Sequence, residues 1–223
     1  MAELPKVIYV MGSPGAGKGT QAKMLAQELG YHQFSTGDAF REMARQDTPL
    51  GRKVNEIIHG QGKLMPGEDA AQVVIEAVKK HANKKGLIFD GTPRTLIEAN
   101  IVDEFFKQNG YGRPLAIRLL ADKEDIIARN TKRRYCLDIK GDFPVNTPQD
   151  EARCRELGGR VGLRADDTRE KIEARWQEFE TKTLPVIERY KKEGILYEVD
   201  GKKSIPGVHQ QVMAVIEKVR SQS

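Results

Sequence analysis

Lys6-Val7-Ile8-Tyr9-Val10-Met11 runs without a break into Gly12-Ser13-Pro14-Gly15-Ala16-Gly17-Lys18-Gly19-Thr20. The first six residues read as a short buried strand, and the residues from Lys18 to Leu29 carry a helical pattern. Glycines between a strand and a helix let successive backbone N–H groups turn inward. Those donors, with the helix N-terminus behind them, attract phosphate oxygens. The N–H groups of Gly15, Ala16, Gly17, Lys18, Gly19 and Thr20 are the candidate cradle, and Lys18 adds a full positive charge at the β/γ-phosphates. Gly19 stands where the strict pattern has Ser or Thr, and Thr20 follows one place later. A glycine-rich turn with a surface lysine is the bland alternative. The spacing together with the strand–loop–helix context points instead to nucleoside triphosphate binding.

Outward from this loop, short β-rich runs alternate with longer helical stretches. The strand candidates are 6–11, 32–35, 87–90, 115–120 and 195–199. Helical patterns cover 18–29, 38–45, 51–59, 68–82, 97–107, 123–132, 166–190 and 207–219. Continuous apolar strands separated by helices imply right-handed crossovers and a parallel sheet buried on both faces. The expected fold is a three-layer α/β domain of the P-loop nucleoside-triphosphate-binding type. One stretch breaks the rhythm: 135–163 is polar and turn-rich, with Gly141-Asp142-Phe143-Pro144, Asn146-Thr147-Pro148 and Gly158-Gly159. It reads as a functional flap whose prolines leave no room for two turns of helix.

Composition narrows the classes further. With 39% hydrophobic and 31% charged residues the 223-residue chain is neither disordered nor fibrous. Lys plus Arg exceed Asp plus Glu by 37 to 32, a net charge of +5 that favours polyanionic partners. No aromatic-interleaved basic patch supports nucleic-acid binding. The apolar run at 7–11 is far short of a membrane span and lacks the flanks of a secretion signal. Two cysteines, Cys136 and Cys154, do not make a disulfide framework. The expectation is a cytoplasmic protein with no nucleic-acid or membrane partner.

An acidic residue at the end of a buried strand is the second half of a magnesium–triphosphate site. Leu87-Ile88-Phe89-Asp90 supplies it, and Gly91-Thr92-Pro93-Arg94 places a guanidinium four residues on. The ordered set of Gly12–Thr20, Ser35-Thr36-Gly37-Asp38 with Arg41, Asp90–Arg94, and Arg164-Ala165-Asp166-Asp167 with Arg175 resembles the adenylate kinase family in its long-lid bacterial form. The resemblance runs from about residue 6 to 220. It implies a five-stranded parallel core with helices on both faces (1–36, 67–130 and 165–223), a monophosphate-binding segment at 37–66 and a lid at 131–164.

The activity it implies is reversible phosphoryl transfer from magnesium-bound ATP to AMP, giving two ADP, by a monomer. Carried over position by position, Lys18 holds the β/γ-phosphates and Asp90 holds Mg2+ through water. Arg129, Arg133 and Lys203 attend the ATP. Thr36, Arg41, Gly91, Arg94 and Glu98 attend the AMP. Arg164 and Arg175 close over the transferring group and belong with the AMP-binding residues. The catalytic set is therefore Lys18, Arg94, Arg129, Arg133, Arg164 and Arg175. No side-chain nucleophile is needed, because the acceptor phosphate attacks, and closure of a lid excludes water from the activated phosphate.

Three departures from the family pattern stand out. Many relatives hold the lid with zinc on two Cys-x-x-Cys pairs; here the second places are Ile139 and Leu157. Two thiols and two aliphatics are not a tetrahedral zinc set. Asp138 and Glu156 are the candidate substitutes. The expectation is a lid without structural zinc, with a small apolar cluster in its place and reduced cysteines. Thr92 replaces a usual Phe. Glu98 replaces a Gln that reads adenine. An ionised carboxylate only accepts hydrogen bonds and suits a base edge rich in donors, such as guanine; alternatively Glu98 faces solvent. A GMP, UMP or CMP kinase is thus the rival within the fold, and a non-catalytic nucleotide-binding regulator the rival outside it.

Overall fold

The structure, a computed structural model, describes residues 4–61, 63–139, 142–164 and 168–222. Strand β1 (Val7–Gly12) leads into α1 (Lys18–Leu29), and β2 (His32–Ser35) into α2 (Thr36–Ala44) and α3 (Pro49–Val54). Then come α4 (Gly67–Lys80), β3 (Leu87–Asp90), α5 (Leu96–Gln108), β4 (Leu115–Leu120) and α6 (Lys123–Asn130). A small excursion follows, β5 (Arg134–Leu137), β6 (Phe143–Val145), α7 (Pro148–Glu156) and β7 (Arg160–Gly162). The chain returns through α8 (Arg169–Glu178), α9 (Leu184–Lys192), β8 (Leu196–Asp200) and α10 (Ile205–Gln222).

Five strands form one parallel sheet in the order β2-β3-β1-β4-β8. The period-2 alternation of β1 divides the core in two. Ile8 and Val10 pack with α1 and α10 through Ala22, Leu25, Val212 and Ile216. Val7, Tyr9 and Met11 pack with α4, α5 and α9 through Val74, Val102, Phe106 and Ile187. The central strands β1 and β3 are buried on both faces and read as continuous apolar runs, whereas the edge strands β2 and β8 are only partly buried and carry polar residues. The expected three-layer α/β sandwich is present, and each expected core strand lies within a residue of its observed position.

Three local readings need correction. The stretch 166–190 is not one helix: α8 ends at Glu178, a π-helical turn covers Phe179–Thr183, and α9 begins with Pro185 in its first turn. Proline has no N–H to donate and its ring crowds the carbonyl four residues back, so the helix reforms around it. Residues 165–167 of the arginine motif lie outside the described residues.

The flap does contain a helix. Pro148 sits at the first position of α7, where its missing N–H is no loss. Thr147 Oγ1 accepts from the Asp150 amide at 3.1 Å while the Asp150 carboxylate accepts from the Thr147 amide at 2.9 Å. That reciprocal cap starts the helix on the residues that seemed to forbid it. The rest of the flap is a three-stranded antiparallel sheet, β6-β5-β7.

The third correction concerns the cysteines. Cys136 on β5 and Cys154 on α7 are both fully buried and joined by a disulfide across a Cα–Cα distance of 5.5 Å. With their sulfurs bonded to each other, neither is a thiolate ligand for a metal. The apolar cluster is only partial: Ile139 approaches Gly159 near Cys136, whereas Leu157 is 53% exposed. The disulfide joins helix to sheet where the apolar side chains are too few to do so.

Candidate active site

The parallel strands carry their motifs at one end. In register, Ser35 lies beside Asp90 and Asp90 beside Val10, so the ends of β2, β3 and β1 deliver Ser35–Asp38, Asp90–Arg94 and the glycine loop to one rim. This is the crevice beyond the carboxyl ends of the strands, where open α/β sheets bind ligands. A cleft of about 780 Å³ opens there. It is lined by Gly15, Gly17, Lys18, Gly19, Thr20, Arg41, Asp90, Gly91, Arg94, Arg133, Arg164 and Arg175. Residues from six separate stretches of chain thus converge on one space.

Within the glycine loop, Gly17 caps α1 with a left-handed backbone, φ 92°. Gly15 is also left-handed, φ 82°, and a Cβ there would collide with the side chain of buried Asn130. Lys18 Nζ donates to the Ser13 carbonyl at 2.8 Å, curling back over the loop. Burial lowers the Lys18 ammonium to about 8; Asp90 opposes the shift, and Arg94, Arg175 and Arg133 add to it. Ala16 also shapes the loop: its side chain is buried in the core and its amide donates to Ser13 O at 3.2 Å.

Asp90 lies so close that a Cβ on Gly19 would come within 2.9 Å of its Oδ2. Gly19, where the strict motif has a hydroxyl residue, is what lets the carboxylate approach. Burial raises the Asp90 carboxyl, while Lys18, Arg94 and Arg41 hold it down. A carboxylate against the phosphate loop, with Thr20 on the same cleft wall, is an all-oxygen set that fits a hard divalent cation such as Mg2+.

The opposite wall is built on α2 and the loop after β3. Ser35 Oγ accepts from the Asp38 amide at 3.2 Å and caps α2, whose last turn presents Arg41, paired with Asp38. Thr36 Oγ1 donates to Gly91 O at 3.3 Å, fastening the two motifs together. Arg94 is held at three points. Its Nε donates to Gly91 O at 2.5 Å, its amide donates to Glu98 Oε2 at 2.7 Å, and its carbonyl accepts from Thr183 Oγ1 at 3.1 Å. Burial pushes the Arg94 guanidinium down from its ordinary value, and the Glu98 charge opposes this.

Glu98 does not face solvent. It is 2% exposed, and its two oxygens accept from the Arg94 amide and from the Thr92 hydroxyl. Thr92, itself 1% exposed, follows the same logic: the two departures from the family pattern form one hydrogen-bonded pair. Burial raises the Glu98 carboxyl and the Thr92 hydrogen bond moderates the shift. Thr36, Arg41, Arg94, Glu98 and Arg175 also border a smaller cavity of about 80 Å³ beside the main cleft. Phe40, Ile58, Leu64 and Met65 supply its apolar walls. A sequence signal for the capping role of this stretch exists in Thr95-x-x-Glu98, where Thr95 Oγ1 accepts from the Glu98 amide at 3.1 Å.

The flap contributes Arg133 and Arg164, whose guanidinium carbons stand 4.8 and 3.6 Å from the centroid of the Tyr135 ring. Arg45, just past α2, reaches across to the flap, donating to Asp142 Oδ1 at 2.8 Å and to Ile139 O at 3.3 Å. Neither Tyr135 nor the Arg45–Asp142 pair was expected. Arg129 and Lys203 are not brought into the cleft lining. Arg129 donates to Gly201 O at 3.2 Å and to Lys202 O at 3.4 Å, bracing the turn after β8 beside the exposed Lys203. Trp176 packs on Phe179, ring centroids 5.8 Å apart. His32 and His81 stack on each other, and His209 Nδ1 meets Gln21 Oε1 at 3.2 Å, all outside the cleft lining.

Comparison with known proteins gives a consistent result. The profile of the family described as Adenylate kinase matches residues 10–195. A curated adenylate kinase of Archaeoglobus fulgidus is 37% identical over 216 residues, covering 96% of this chain and 99% of that protein. One from Thermosipho melanesiensis is 36% identical over 213 residues, 95% of this chain and 99% of the relative. One from Caldanaerobacter subterraneus subsp. tengcongensis is 35% identical over 207 residues, 92% and 93% respectively.

Proposed function

Since the chain belongs to the adenylate kinase family and is therefore a nucleoside monophosphate kinase, we propose that the cleft binds ATP and AMP end to end and passes one phosphoryl group reversibly between them. The observation that carries this reading is the pairing of two anion-binding walls on one cleft: the glycine loop with Lys18 on one side, Arg41 and Arg94 on the other. A protein that only bound a triphosphate would have no use for the second wall.

The chemistry follows from charge. Two polyphosphates repel each other, and a loose phosphoryl-transfer transition state spreads negative charge over its equatorial oxygens. Guanidinium groups hold phosphate oxygens in pairs and in fixed geometry, so alignment and charge neutralisation come from the same residues. Arg41 and Arg94 orient the acceptor phosphate, Lys18 steadies the β/γ-bridge, and Arg133, Arg164 and Arg175 gather on the group in flight. Two anchors fix the Arg94 backbone and a third, Nε to Gly91 O, orients its fork before the acceptor arrives. Asp90, through water and with Thr20 nearby, would hold Mg2+, which would supply neutralisation of phosphate charge. Arg129 and the Gly201–Lys203 turn, which stand outside the cleft lining, are assigned to the donor base by the family resemblance alone.

On this reading, segment 37–66 carries the acceptor, segment 131–164 is the lid that excludes water, and the rest is the core. Arg45 to Asp142 joins segment and lid across the cleft mouth. AMP is the acceptor in preference to GMP because the Glu98 oxygens are already engaged by Thr92 and the Arg94 amide, so they do not present an open acceptor pair to guanine. We read the enzyme as a monomer of the cytoplasm. Among the described residues no helix is long and apolar enough to cross a membrane.

The test is a coupled phosphotransfer assay with magnesium and ATP against AMP, GMP, UMP and CMP. AMP turnover by the wild type, abolished in Lys18→Met, is expected. Preference for another base, or full activity in Lys18→Met, would overturn the reading.

A further inference from the structure

The flap sheet places two like charges side by side. In the antiparallel register of β5 and β7, Tyr135 faces Gly162, Cys136 faces Val161 and Leu137 faces Arg160. Arg133 and Arg164 lie just beyond the paired residues, and both bring their guanidinium groups to the Tyr135 ring. Like charges held this close to one another repel. A flap that must present both to a phosphate therefore needs something to keep them together while the phosphate is absent.

Tyr135 occupies the place where that repulsion can be offset. By the two-residue period of a strand it shares a face with Arg133, and its ring lies 4.8 Å from the Arg133 guanidinium carbon and 3.6 Å from that of Arg164. The ring is 4% exposed and borders the cleft, so the electron-rich face acts where little water competes. A desolvated cation over a ring is held more firmly than one at the surface. The next residue, Cys136, points to the other face of the sheet and is tied to α7 by its disulfide. The strand that carries the ring is thereby anchored from behind.

We propose that Tyr135 is a positioning residue for phosphoryl transfer, its ring holding Arg133 and Arg164 side by side over the cleft before the phosphates arrive. The proposal rests on the reading that these two arginines serve the transferring group. Phenylalanine would preserve the ring face; leucine would fill similar space without it.

The experiment compares kcat and KM for ATP and AMP in wild type, Tyr135→Leu, Tyr135→Phe, Arg164→Ala and Tyr135→Leu/Arg164→Ala, with a thermal melt of each. Tyr135→Leu should lower kcat about tenfold, equivalent to about 1.36 kcal/mol in the barrier, and Tyr135→Phe should recover most of that. In the Arg164→Ala background the leucine substitution should lower kcat by much less than tenfold, because one of its two clients is gone. A full tenfold loss in that background, or a lowered melting temperature with kcat unchanged, overturns the proposal. If Arg164→Ala itself leaves kcat unaltered, the fault lies in the arginine's assigned role and not in the geometry of the ring. Should Tyr135→Leu fail to fold, Tyr135→Met serves as the second apolar variant with the same two outcomes.

Discussion

Thr92→Val and Glu98→Ala, singly and together, probe the loop that carries Arg94. Thr92→Val keeps the side-chain shape and deletes the hydroxyl that donates to Glu98. A hydrogen bond to a charged group contributes about 1.5–3 kcal/mol. At about 2–4 °C per kcal/mol for a chain of this size, the melting temperature should fall by about 3–12 °C. Glu98→Ala removes the acceptor of both the Thr92 hydroxyl and the Arg94 amide, leaving two buried donors unpaired at about 1–3 kcal/mol each. Part of that loss is returned because a carboxylate whose pKa is raised by burial is no longer enclosed. In the double variant the Thr92 donor no longer exists to be stranded, so its destabilisation should fall short of the sum of the singles by about 1.5–3 kcal/mol.

The pH dependence has a definite sign. A carboxyl with a raised folded-state value binds its proton more readily when folded. Its contribution to stability therefore declines as pH climbs from the ordinary carboxylate range through that raised value. Thr92→Val should widen that window, since the hydrogen bond that favoured the charged form is gone, and Glu98→Ala should erase it. Denaturant unfolding at several pH values measures both effects, and KM for AMP reports whether Arg94 has loosened. Additivity of the two substitutions within about 0.5 kcal/mol, with KM for AMP unmoved, would refute the coupling of Thr92, Glu98 and Arg94.

Two further outcomes follow from the charges and the staple. Burial lowers the Lys18 ammonium to about 8, and a bound polyphosphate favours its charged form. ATP should therefore bind with proton uptake above that pH, and its affinity should fall as pH rises further. Calorimetry at alkaline pH in two buffers of different ionisation heat, set against Lys18→Arg, reads this directly, and equal uptake in both proteins would contradict it. The Cys136–Cys154 bond closes a loop 18 residues apart in sequence, which constrains the unfolded flap by about 3 kcal/mol in the chain-entropy account. Reduction, or Cys154→Ser, should make 134–162 more open to proteolysis and hydrogen exchange without altering the core. Identical exchange in oxidised and reduced protein would show that the bond does not hold the flap.

The phosphate loop and the five core strands were legible in the chain because each rests on neighbours in sequence, whereas the order β2-β3-β1-β4-β8 came from the fold. Glycine spacing, a continuous apolar run and a strand-end aspartate act within a few residues, and parallel α/β topology follows from their alternation. The arginines that line the cleft were legible only through the family pattern, since a solitary Arg carries no local mark of its target. Pro148 misled because a proline forbids a helix interior yet suits its first turn, and only the Thr147–Asp150 cap decides which position it holds.

What the tertiary structure alone decided depends on pairings between distant residues. Cys136 and Cys154 meet because α7 lies on the β5 sheet; Arg133 and Arg164 reach one ring because β5 and β7 pair in one register and not another. Glu98 is buried against Thr92 because α5 packs into the core behind it. Residue types determine which interactions are available, whereas the proximity of groups many residues apart is a property of the folded chain. The amino-acid order could therefore specify the phosphate cradle and its sheet, while the burial of Glu98, the bonding of the cysteines and the setting of the flap arginines awaited the fold.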